Sequence, residues 1–152
     1  MDASSDPSNE DRDSPRQFDD DDYASLLEFR DGLRQFLRWS QDSARAAGLT
    51  PSHHQLLLAI RGHRGPVSIG DVAEHLMLKH HSAVELVDRA AARDLVERVT
   101  DDDDQRVVRV RLTAGGERRL QALASAHLEE LSRTGPRLAA LWNRLPQVGG
   151  DA

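Results

Sequence analysis

Cysteine is absent from the 152 residues. That excludes disulfides, thiolate metal sites and thiol-based redox sensing, and it fits a reducing compartment. Aromatics are scarce, at 4%, so a core must be built mainly from aliphatic side chains. No apolar run approaches the roughly 20 residues that span a bilayer, and the N-terminus is acidic where a secretory leader is basic. The expectation is a soluble, cytoplasmic protein with no membrane partner. Also missing are a phosphate-binding glycine loop, an HExxH motif and a Ser-His-Asp arrangement. Neither an enzyme nor a cofactor is expected.

What is present is unevenly charged. The net charge is −6, but residues 1–22 hold nine acidic side chains against two arginines. The rest of the chain, with seventeen acids against eighteen bases, is close to neutral. Residues 1–22, rich in Asp, Ser and Pro, bury too little apolar surface to offset their ordering entropy and are expected to be a disordered tail. A near-neutral body gives little bulk attraction for nucleic acid, so any such contact must come from local clusters.

The most informative stretch is residues 78–113. From Ser82 to Arg93 there is no Gly or Pro, and Val84, Val87, Ala90 and Ala91 mark one face at helical spacing. Leu95, Val96 and Val99 begin a strand, residues 100–105 are polar, and Val108, Val110 and Leu112 alternate with Arg109 and Arg111. A helix leading at once into a ribbon with one apolar face and one cationic edge is the reading-helix-plus-wing half of a winged helix-turn-helix.

The flanking segments fit that reading. Residues 23–48 predict a long helix, with Leu26, Leu27, Leu33, Phe36, Leu37, Ser40, Ala44 and Ala47 at threes and fours and Gly48 placed to stop it. Thr50 or Ser52 caps a second helix that has Pro51 in its first turn and ends near Gly62. Ser68 and Asp71 form a capping-box pattern before a short third helix. Thr113 caps a further helix, Gly135-Pro136 is expected to break it, and a last amphipathic piece carries Leu138, Leu141, Trp142 and Leu145. The predicted organisation is a tail (1–22), an N-terminal helix (23–48), a winged module (49–113), C-terminal helices (114–146) and a frayed end (147–152). The fold class is mainly α with a small β-hairpin wing.

Several local sequences are shared with a known family. They are Leu49-Thr50, Val67-Ser68-Ile69 with Asp71-Val72-Ala73, Val87-Asp88-Arg89, Leu95-Val96-Glu97-Arg98, Asp104 and Arg106, and Leu112-Thr113-Ala114-Gly115-Gly116. In combination they resemble the MarR family of bacterial transcriptional regulators over about residues 23–145. The resemblance implies a homodimer held by the first and last helices and a pseudo-palindromic double-stranded DNA operator. It further implies a repressor role relieved by a small molecule. Two positions depart from the family pattern: Asp94 stands where Gly is common, and Val84 and Glu85 stand where relatives place residues facing DNA.

The reading helix would enter the major groove by its start, Lys79-His80-His81-Ser82. Arg106 resembles the wing-tip arginine that enters the minor groove, with Asp104 holding the turn or orienting it. Arg98 and Arg109 are candidates for backbone contacts or wing salt bridges, with Arg111 beside them, and Asp88 and Arg89 for supporting the wing. An effector cleft between dimer helices and winged module would be lined by Trp39, His53, His54 and Leu57, with Arg34 for a phenolic or carboxylate ligand. Seven histidines raise a zinc-responsive regulator as an alternative. Only Asp71 and His75 have a suitable helical spacing, however, and no metal ligand set is assigned. A winged helix used as a protein-interaction module is the other alternative, favoured by Glu85 and the Asp101–Asp104 run.

Overall fold

The computed structural model describes residues 17–146. The tail expected before residue 17 and the frayed end expected over 147–152 therefore lie outside the described residues. Helix α1 (Asp20–Ala46) starts three residues before the apolar spacing does. The Asp19 carboxylate accepts the Asp22 N–H at 2.9 Å, and the Asp22 carboxylate accepts the Asp19 N–H at 3.2 Å. That reciprocal cap, with three acids in a first turn whose dipole favours them, draws Asp20–Asp22 out of the expected tail. At the other end Gly48 takes φ +75°. Its N–H returns to the Arg45 carbonyl and the Leu49 N–H to the Ala44 carbonyl, both at 2.9 Å.

Helix α2 (Pro51–Gly62) is capped by Thr50, whose hydroxyl oxygen accepts the His53 N–H at 3.1 Å. Strand β1 (Val67–Ser68) follows, then α3 (Ile69–His75), where the Ser68–Asp71 capping box forms as the sequence predicts. Helix α4 (His80–Ala92) buries Ala83, Leu86, Val87 and Ala90, a face one step round from the predicted one. Asp94 ends it in the left-handed region at φ 55°, a conformation Asp tolerates better than most residues. The hairpin of β2 (Val96–Thr100) and β3 (Val108–Leu112) gains a third strand, because Val67 pairs with Val110 and Ser68 with Arg109. The strand order is β1-β3-β2.

Helix α5 (Ala114–Asn143) runs unbroken through Gly135-Pro136, against expectation. A helix-interior proline costs about 3 kcal/mol, here by denying the Ser132 carbonyl its donor. Packing beyond the proline opposes a break. Leu141 is 6% exposed, and Trp142 meets Phe29 with centroids 5.6 Å apart. Arg144 donates to Glu28 at 3.0 Å, and a Cβ on Gly32 would lie 2.8 Å from Leu138. The α5 start is equally fixed. Thr113 donates its hydroxyl to the Asp94 carbonyl at 2.6 Å and accepts the Gly116 N–H at 3.0 Å.

The core lies in the winged module. Leu56, Leu57, Val72, Ala83, Val87, Ala90 and Leu95 are sealed together, and Leu120 and Leu123 of α5 close the cluster. From α1 only Ala44 is buried, and it joins this cluster. Leu26, Leu27, Leu33 and Leu37 are each at least 40% exposed, as are Leu128 and Trp142 of α5.

Candidate nucleic-acid interface

Helices α3 and α4 are joined by a tight turn in which Met77 takes φ 51° and the Leu78 N–H reaches the Ala73 carbonyl at 2.8 Å. The turn presents the start of α4 outward. Lys79 is its N-cap and makes no side-chain cap, so the first amides of the helix keep their hydrogens free of it. Lys79, His80 and His81 are exposed and Ser82 half-buried. None of the four carries a salt bridge among the described residues. The sequence-predicted reading group thus sits together on one helix end, whose dipole is positive.

The wing is built differently from the prediction. Asp101, hidden in sequence among four consecutive aspartates, organises the tip. Its carboxylate accepts the Asp103 N–H at 2.9 Å, the Asp104 N–H at 3.2 Å and Arg109 Nε at 2.7 Å. The Arg109 hydrogen bond first, and the two backbone bonds after it, hold the Asp101 carboxyl below the usual carboxylate range. Asp104 accepts both the Arg106 N–H at 3.0 Å and Arg106 Nε at 3.2 Å. That orients a guanidinium whose side chain is 92% exposed.

The remaining wing arginines are engaged within the protein. Arg98 pairs with Asp88 of α4, tying wing to reading helix. Arg111 pairs with Glu97 at 2.7 Å. Arg109 and its Asp101 partner are 29% and 15% exposed, a pair set into the wing rather than a free cation. Arg89 does not reach the wing. It lies 4.0 Å from Glu85 on its own helix, with its charge felt by His53.

The MarR family model matches residues 47–107, the span from the α1–α2 turn to the wing. The uncharacterized HTH-type transcriptional regulator YsmB of Bacillus subtilis is 37% identical over 67 residues, 44% of this chain and 46% of that protein. Over residues 47–107 the chain is similar to the MarR family. The match to YsmB spans about half the length of that relative. AbsC, a MarR family transcriptional regulator from Streptomyces coelicolor, shares the fold with TM-score 0.68 at 19% identity, covering 81% of this chain and 84% of AbsC. A Staphylococcus aureus MepR F27L mutant bound to an oligodeoxyribonucleotide has TM-score 0.61 at 18% identity, covering 78% and 82%.

The predicted effector residues divide between the α4 side, the α5 side and the core. Adjacent helix positions point about 100° apart, and the two histidines of α2 part accordingly. His54 turns to α5, where its ring lies 4.7 Å from that of His127. Trp39 lies 4.9 Å from the same ring. His53 turns to α4, where burial first, then Arg93 and Arg89, lower its pKa. Burial first, then the His127 charge, lowers that of His54. Leu57 is fully sealed in the core, and Arg34 is exposed and paired with Asp31 at 3.3 Å.

His127, which sequence reasoning missed, is the centre of the cluster. Its Nδ1 faces the Leu123 carbonyl at 2.8 Å, and Ser40 Oγ lies 2.7 Å from Nε2. A carbonyl only accepts, so Nδ1 carries the hydrogen and the Ser40 hydroxyl donates to Nε2 in the neutral ring. A cleft of about 350 Å³ next to it is lined by Phe36, Trp39, Arg137 and an Arg133–Glu130 pair at 2.7 Å, among others. The Asp71–His75 pair does not form either. Asp71 accepts from Ser68 and lies 4.0 Å from His63 Nε2, while His75 Nε2 lies 2.9 Å from His63 Nδ1. No group of three metal-ligating side chains occurs among the described residues.

Proposed function

We propose that the protein is a homodimeric, sequence-specific DNA-binding transcriptional regulator, a repressor released by a small phenolic or carboxylate ligand. The observation that carries this reading is the exposed start of α4, Lys79-His80-His81-Ser82, set beside a wing whose tip presents Arg106. A groove about 12 Å wide admits a helix, and Lys and His donors there match guanine and phosphate acceptors. Arg106, oriented by Asp104, suits an adjacent minor groove.

Two copies are favoured by α1 and α5. Their leucines and Trp142 are too exposed for helices of 27 and 30 residues to stand alone in water. Pairing along those helices would also present two reading helices to a pseudo-palindrome with half-sites about 34–36 Å apart. The cleft lined by Phe36, Trp39 and Arg137 supports the effector class, since a flat ring can stack there and the Arg137 guanidinium can take a carboxylate, Arg133 being held by Glu130 at 2.7 Å.

Light scattering and selection from a random duplex library test the proposal together. A dimer that enriches an inverted repeat is expected, with Arg106→Ala weakening the selected duplex at least tenfold while staying dimeric. A monomer that enriches no sequence overturns the proposal. Phenolic acids should weaken binding of the selected duplex; no effect from any of them would remove the effector class.

A further inference from the structure

At the joint between the long helices and the reading module, beside its apolar packing, one backbone oxygen collects side chains from two other elements. The turn after α1 folds the Gly48 and Leu49 N–H groups back onto α1 carbonyls, which leaves the Gly48 carbonyl pointing out of the helix end. Arg93, the residue that ends α4, donates Nη2 to it at 2.8 Å. Arg119, on α5, approaches with Nη1 at 3.5 Å. Three elements meet there: the end of the long N-terminal helix, the end of the reading helix and the C-terminal helix. Otherwise α4 packs on α2, α3 and β2, whereas α1 packs on α2 and α5. His53 is buried on the side of Arg93, with Nδ1 unpartnered among the described residues, while Arg93 itself is exposed.

We infer that Arg93 is a positioning residue that sets the angle of the winged module on the dimer helices, and through it the half-site spacing the protein selects. The inference rests on the DNA-reading proposal above. Leverage gives it force. Arg93 lies at the opposite end of α4 from Lys79, and 13 residues at about 1.5 Å each put the reading end about 20 Å from the pivot. A tilt of about 5° at the pivot moves that end by about 1.7 Å. Twofold symmetry doubles this to about 3.4 Å, the rise of one base pair. A guanidinium with fixed donor directions restrains such a tilt better than a single flexible ammonium does.

Selection from a random duplex library, run in parallel on wild type, Arg93→Met and Arg93→Lys, reads spacing directly. Wild type should enrich one half-site spacing. R93M should keep the half-site sequence but spread over neighbouring spacings, with its affinity preference over a one-base-pair change in spacing falling at least fivefold. R93K should lie between them. A dimeric R93M with the wild-type spacing and preference overturns the inference. If R93M does not dimerise, R93K decides: broadened spacing supports the inference and unchanged spacing overturns it. Wild type enriching no sequence would sink the DNA-reading proposal itself, and this inference with it.

Discussion

His53 and His54 occupy adjacent positions at the start of one short helix, 4% and 7% exposed, and neither environment welcomes a proton. Burial dominates in both, reinforced at His53 by Arg93 and Arg89 and at His54 by His127. A histidine whose folded pKa lies below its ordinary value near 6.5 takes up protons more readily unfolded than folded. The stability it contributes is therefore complete above about pH 6.5 and declines as pH falls from there through the folded value. Asp71 and Asp101, lowered by their hydrogen bonds, add a second decline below about pH 4. Urea midpoints should drop between pH 8 and pH 5. The drop should shrink in a His53→Gln, His54→Gln double variant. An equal drop in that variant would show that these two rings are not its source.

At the scale of elements, the sequence was legible wherever a period or a cap was local. The capping box at Ser68, the Thr50 and Thr113 caps and the Gly48 stop all appear where short-range chemistry puts them, whereas in β3 Val110 is buried but Val108 is 42% exposed. The misses have long-range causes. Strand β1 has two residues, too few to show a period, and exists because β3 offers it an edge. Pro136 stays helical because Leu141 and Trp142 are held by α1, contacts that nothing near the proline announces. His127 meets Ser40 across 87 residues, and which of four aspartates caps the wing depends on where Arg109 falls. The junction of α4, β2 and α5 shows how demanding such contacts are. A Cβ on Gly116 would lie 2.0 Å from the Leu95 carbonyl oxygen, a backbone atom that cannot swing aside. Gly116→Ala should therefore destabilise the fold by roughly 3 kcal/mol, the upper end of ordinary overpacking, read as a lower urea midpoint. A midpoint at or above wild type would mean that α5 starts farther from β2 than described here.

For the whole molecule the open question is how a chain of net charge −6 would hold a polyanion. Five cations of the chain flank the proposed interface: Lys79, Arg98, Arg106, Arg109 and Arg111. Four of them already hold a carboxylate, namely Asp88, Asp104, Asp101 and Glu97 in the same order. When such an arginine turns to a phosphate, the abandoned carboxylate must collect a cation from solution, which offsets the counterion that DNA releases. A dimer using all ten cations freely would lose affinity with a log–log salt slope near −9, at about 0.9 per phosphate. Lys79 has no ion-pair partner among the described residues, and Arg106 is held only by a highly exposed pair of the kind worth little in water. Those two from each protomer give a slope of roughly −2 to −4. Titrating the selected duplex between low and physiological salt measures it. A slope of −8 or steeper would show the wing carboxylates standing clear of the interface, and the arginines reaching DNA unopposed.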